Sequence, residues 1–282
     1  MSVIAATPAD LAPHGFGRVR AWLSDVWVMT RRNLIHIRRE PMQLSDVTIQ
    51  PVLFTLLFLY LFGSALMMRA GGSYKEFLLA GLLAMNLTTS TVGTAIGLTT
   101  DLSTGVIDRL RTLPMSPTSI LIGRSISDLL ASTLCATIVV VTGYCAGWRP
   151  ENGFVSVLAA IGVGLLFAYG LSWMNACLGL AVEGVESAQG IVFIVVFPLA
   201  FVSNAFAPTQ GLPVWLRTIA TWNPVSAVTA AMRTLFGNPN PSAAVQAWPM
   251  QHPVVASIVW SLVLLAVCVP LAGRLYRHRT QR

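Results

Sequence analysis

The chain has 282 residues, 55% of them hydrophobic and only 10% charged, with a mean hydropathy of +0.69. A soluble domain is roughly a quarter charged, so this composition excludes an ordinary soluble protein and points to the bilayer. The net charge of +7 is spread over the flanks of apolar runs, which reads as lipid-headgroup attraction and topology signal and excludes a nucleic-acid patch.

In chain order, residues 1–17 read as a flexible tail without the apolar stretch of a cleavable signal peptide. Residues 18–40 read as an amphipathic helix. At about 100° per residue, Val19, Leu23, Val26, Trp27, Leu34 and Ile37 share one stripe, with Ser24, Asp25, Arg31, Arg32, Arg38 and Arg39 largely opposite. Such a helix lies in a membrane interface with its guanidiniums among phosphates; a plain solvated helix is the alternative. Pro41 ends it and turns the chain into the first span.

Residues 41–275 then form a membrane domain, followed by a basic tail at 276–282. Six stretches have the length to cross about 30 Å of hydrocarbon, which takes roughly 20 helical residues. They fall at about 47–68, 77–100, 119–146, 154–181, 188–207 and 253–273. The fold class expected is an all-α membrane protein. Small residues four apart recur in the spans, at Gly93 and Gly97, Gly143 and Gly147, Ala160 and Gly164, where they let helices approach closely. Asn86, Thr88, Thr91, Asn175 and Asn204 are polar groups at membrane depth; they either hydrogen-bond between helices or line a transport route. Pro198 is expected to kink the fifth span.

Between spans two and three, "TGVIDRLRTLP" forms a short amphipathic helix. Val106, Leu110 and Leu113 lie on one face, Asp108, Arg109 and Arg111 on others, and Pro114 stops it. An ordered polar helix continuous with two spans suits a docking surface and a lever. A solvated loop whose arginines enforce topology is the other reading. Glu183 and Glu186, after span four, are a second docking candidate or a solvated turn. The last loop, about 208–252, offers two short helices broken at Asn223-Pro224 and closed by Gly237, dipping into or lying under the outer leaflet. Its Trp215 and Trp222 suit the interfacial zone.

Basic residues fix the orientation. Arg18, Arg20, Arg31, Arg32, Arg38, Arg39, Arg109, Arg111, Arg124, Arg274, Arg277, Arg279 and Arg282 fall on one side. Arg69, Lys75, Arg149, Arg217 and Arg233 fall on the other. The positive-inside rule then places both termini in the cytoplasm.

Enzyme chemistry is not in view. The single lysine, Lys75, has no glycine-rich loop before it, so the GxxxxGK[ST] phosphate cradle is missing. His14, His36, His252 and His278 form no HExxH, no GxSxG elbow occurs, and the spans hold no paired acids. Cys135, Cys145, Cys177 and Cys268 sit in apolar runs and read as buried small residues without metal or disulfide.

The pattern Gly105-Val-Ile-Asp-Arg-Leu-Arg-Thr-Leu-Pro-Met-Ser116, followed by Gly123, Arg124 and Asp128, resembles the permeases of type-2 ABC exporters. It is most similar to the integral-membrane subunits of daunorubicin-resistance drug exporters. The stretches Arg39–Gly63 and Ala205–Pro239 carry the same resemblance, which covers the chain from about residue 22 onward. It implies six spans, a cytoplasmic interfacial helix, a coupling helix between spans two and three, and a re-entrant pair between spans five and six. It further implies a dimer with a second copy or a related permease, and two cytoplasmic ATPase subunits. Those subunits carry ATP and Mg²⁺; this chain has no cofactor. Asp108, Arg109, Leu110 and Arg111 would contact the ATPase, with Gly105 and Pro114 shaping the helix and Val106 on its apolar face. The cargo implied is hydrophobic or amphipathic, a drug or a lipid. The rival readings are a passive or ion-coupled carrier and a non-transporting membrane scaffold.

Overall fold

The computed structural model describes residues 16–61, 74–106, 117–207 and 209–279, and all regular structure among them is helical. The helices are α1 (Phe16–Arg39), α2 (Pro41–Leu61), α3 (Tyr74–Ser90), α4 (Val92–Ser103), α5 (Pro117–Cys145), α6 (Gly153–Ala181), α7 (Val185–Phe201), α8 (Val214–Trp222), α9 (Pro224–Phe236), α10 (Trp248–Gln251) and α11 (Pro253–Arg279).

Helix α1 ends in His36, Arg38 and Arg39, which oppose the negative end of its dipole. Its buried residues Val26, Met29 and Thr30 sit on α5. The two helices meet at Gly123: a β-carbon there would lie 2.5 Å from Met29 Cβ, and Thr30 Oγ1 donates to the Gly123 carbonyl at 3.2 Å. The expected apolar stripe therefore divides. Val26 turns into the protein, whereas Leu23 and Trp27, 55% and 65% exposed, face outward. Pro41 begins α2, where its missing N–H is no loss.

Among the described residues, five segments are long and apolar enough to cross a membrane: α2, the α3–α4 pair, α5, α6 and α11. The α3–α4 span is the most enclosed of them. Its helix is interrupted at Thr91, whose hydroxyl donates to the Thr88 carbonyl at 2.7 Å while its own carbonyl takes the Thr94 N–H at 3.1 Å. Around α3 gather α5, α6 and α9, with Phe77, Leu83, Val139, Phe167 and Met232 all buried in the main core.

Helix α7, expected over 188–207, instead has 17 residues and stops at Phe201. At about 1.5 Å per residue that is about 25 Å, less than the bilayer core. Pro198 lies in its last turn, and the Val202 N–H still closes onto the Pro198 carbonyl at 2.8 Å. Beyond it, Ser203, Asn204 and Ala205 are buried without helical bonding. Irregular backbone at membrane depth persists only where protein groups satisfy it. Arg233 of α9 does so: Nη2 donates to the Asn204 and Ala205 carbonyls at 2.9 and 3.1 Å, and Nε to the Phe77 carbonyl at 3.0 Å. Its guanidinium also stacks 3.6 Å from the Phe77 ring centroid. Gly81 makes room, since a β-carbon there would collide with the Ala205 carbonyl.

The expected pair of short helices is present, with the break at Asn223. That side chain caps α9, accepting from the Val225 N–H at 2.8 Å, and its amide nitrogen reaches the Leu199 and Val202 carbonyls at the end of α7. Gly237, at φ +76°, closes α9. The two helices differ in exposure. On α8, Trp215 and Trp222 stand outward, whereas α9 is buried along most of its length.

Candidate functional site

Helix α4 delivers the chain to the expected coupling segment. It ends at Ser103, and Gly105, at φ +67°, takes the left-handed turn that releases the chain, its N–H bonded to the Leu102 carbonyl at 3.2 Å. Val106 follows at once. Asp108, Arg109, Leu110, Arg111 and Pro114 lie outside the described residues.

What brackets that segment is an ionic network. Asp101, in the last turn of α4, accepts from Arg32 Nη2 of α1 at 2.8 Å and lies 3.5 Å from Arg124 Nη1 of α5. Arg124 also donates Nη2 to the Gly93 carbonyl at 3.0 Å, and its Nε lies 4.0 Å from Asp128. Asp128 in turn accepts from Thr94 Oγ1 at 2.7 Å. The side chains of Arg124, Asp101 and Asp128 are about one fifth exposed. In such surroundings a pair is screened less than a surface pair, and removing one member leaves its partner uncompensated. Gly97, expected to admit a neighbouring helix, instead clears space for the Arg124 guanidinium.

The same side chains wall a cavity of about 500 Å³ between α1, α2, α3–α4 and α5. Arg32, His36, Asp46, Asp101, Arg124 and Asp128 line its charged end, while Asn86, Val92, Ile96 and Cys135 line the part within the spans.

Of the five polar residues expected at membrane depth, Asn86 borders this cavity, donating Nδ2 to the Leu82 carbonyl at 2.8 Å. Thr88, Thr91, Asn175 and Asn204 are buried between elements. Asn175 Nδ2 of α6 donates to Thr91 Oγ1 at 2.8 Å, at the junction of α3 and α4. Asn204 donates its N–H to Ser226 Oγ at 3.0 Å and accepts from Arg233 at its carbonyl. Glu183 lies 3.6 Å from Arg279 of α11, whose Nε also donates to the Leu180 carbonyl at 3.1 Å. Glu186 is exposed in the first turn of α7.

Sequence reasoning missed the roles of Arg32, Asp101 and Arg233: it read Arg32 as a lipid-facing and topology-marking residue and Arg233 only as a topology marker. For Asp101 the signal was there, a carboxylate closing an apolar span. For Arg233 it was not, since its partners lie 156, 29 and 28 residues away. Among the described residues no cluster of His, Cys, Asp or Glu has the makings of a metal site. Cys135, Cys177 and Cys268 are buried and unpaired, whereas Cys145, expected to be buried, is exposed at the end of α5.

Residues 24–236 match the ABC-2 type transporter family. The chain is 33% identical over 262 residues to the daunorubicin resistance ABC transporter permease protein of Streptomyces coeruleorubidus, covering 93% of this chain and 87% of the relative. It is 26% identical to the probable doxorubicin resistance ABC transporter permease protein of Mycobacterium tuberculosis, covering 92% and 91%. To the probable multidrug ABC transporter permease of Escherichia coli it is 29% identical, covering 58% and 44%.

Proposed function

Since the chain belongs to the ABC-2 type transporter family, we propose that it is the membrane permease of an ATP-driven exporter. A separate cytoplasmic ATPase drives it, and the cargo is hydrophobic or amphipathic. In this reading α7 is a short fifth span completing six, α8 and α9 are the re-entrant pair, and both termini face the cytoplasm. Two ATPase copies serve a dimer of this chain or of this chain with a related permease. ATP and Mg²⁺ reside on the ATPase, in keeping with the missing phosphate cradle here.

The observation that carries this reading is the Arg32–Asp101–Arg124 network. It ties α1 to both helices that enter and leave the 107–116 segment. A push on that segment therefore moves the interfacial helix and spans two and three together, which a topology-marking loop has no need to do. In this reading Asp108, Arg109, Leu110 and Arg111 make the ATPase contact, Gly105 and Pro114 shape the helix, and Val106 lies on its apolar face.

The test is the double substitution Asp108→Ala and Arg109→Ala. Export of a fluorescent drug from cells expressing this chain with its ATPase should fall to the level of cells lacking the chain, with membrane insertion unchanged. Export at the wild-type rate would refute the assignment.

A further inference from the structure

The cavity has a charge imbalance that the coupling network leaves over. Its wall carries three carboxyl groups, Asp46, Asp101 and Asp128, against the two guanidiniums of Arg32 and Arg124 and the imidazole of His36. Asp101 is held by both arginines, and Asp128 by Thr94 and Arg124. Asp46, exposed at the rim on the second turn of α2, makes no ion pair among the described residues. From that rim the chamber runs inward past the apolar side chains of Val47, Val92 and Ile96 to Asn86, Ser90 and Cys135, so it is charged at one end and uncharged at the other. Its volume of about 500 Å³ falls in the range of about 300–1,000 Å³ that holds drug-sized molecules.

Resting on the exporter reading above, we propose that this chamber is a loading site for amphipathic organic cations, with Asp46 as counter-ion to the cationic group. The apolar body of the ligand lies along Val92 and Ile96, and Asn86 offers a hydrogen bond at the inner end. The ionised network behind Asp46 serves two purposes. It neutralises Asp101 and Asp128, which would otherwise hold the cation too deep, and it ties the filling of the chamber to the arrangement of α1, α4 and α5. A neutral ligand of the same shape gains the apolar contacts but not the ion pair. An anionic one meets the excess negative charge directly.

The complex of permease and ATPase, in nanodiscs of zwitterionic lipid, is titrated with rhodamine 6G, a lipophilic cation, and with Nile red, a neutral dye. The wild type should bind rhodamine 6G at least about tenfold more tightly than Nile red after correction for binding to empty nanodiscs. Asp46→Asn should remove about tenfold of the rhodamine 6G affinity and leave Nile red unchanged, and Asp46→Glu should restore it. Ile96→Trp, which fills the chamber, should weaken both dyes. Equal affinity for the two dyes in the wild type, or rhodamine 6G binding indifferent to both Asp46→Asn and Ile96→Trp, overturns the proposal. The wild-type comparison of dyes needs no variant to fold. Hydrolysis of ATP by the co-purified partner is measured in the same samples: if it is present while the cation preference is absent, the loading site fails and the exporter reading stands.

Discussion

Arg233 is the residue on which the irregular stretch after α7 depends. Its guanidinium is fully buried and donates to three backbone carbonyls, two of which, those of Asn204 and Ala205, lie in a stretch without helical bonding. Each carbonyl left unpaired costs about 1–3 kcal/mol. Arg233→Ala should therefore lower the thermal unfolding midpoint in detergent strongly. Arg233→Lys should recover little, because an ammonium has neither the planar fork for two carbonyls nor the flat face for the Phe77 ring. Unfolding at the wild-type temperature for both variants would contradict this role. The sequence shows Arg233 as one basic residue among several in an outer loop. With no acid beside it and all three partners distant in the chain, local reading had nothing from which to recover its burial. The caps were the opposite case: Asn223 before Pro224 and Gly237 after Phe236 are local chemistry, and both ends of α9 fall where they indicate.

At the level of elements, periodicity and hydropathy located the helices but not how they end or pair. The run over 188–207 is apolar on average, so a hydropathy window cannot see that its last third leaves the helix to meet Arg233. Likewise the stripe on α1 reads as one membrane face, because a pattern of apolar residues does not distinguish lipid from a neighbouring helix. Gly123 was the available clue to that contact. The ionic network is where elements become coupled. Charge reversal by Asp101→Arg places three guanidiniums together and should abolish ATP-dependent export while the chain still inserts. Adding Arg32→Asp should restore part of it, since opposite charges again face each other between α1 and α4. No recovery in the double variant, in an export assay with matched membrane levels, would mean that the pair does not transmit between these helices.

For the whole molecule, the orientation sets every functional statement. The network, the ends of α6 and α11 joined by Arg279, and the end of α4 and start of α5 that flank residues 107–116 lie at one end of the bundle. Thr99 Oγ1, bonded to the Gly179 carbonyl at 3.1 Å, shows that α4 and α6 finish there together. In a background with all four cysteines replaced, which the exposed Cys145 makes necessary, Ser103→Cys should resist a membrane-impermeant maleimide in intact cells. Val214→Cys, at the opposite end and 70% exposed, should react. The reverse pattern would turn the molecule over and remove the coupling assignment.

The most direct measurement is co-purification from membranes of the affinity-tagged chain with its ATPase, for the wild type and for the Asp108→Ala, Arg109→Ala double variant. The wild type should retain the ATPase in stoichiometric amount, and the variant should remain in the membrane while releasing it. An ATPase held equally by both, or by neither, would contradict a permease gripped through the segment between α4 and α5.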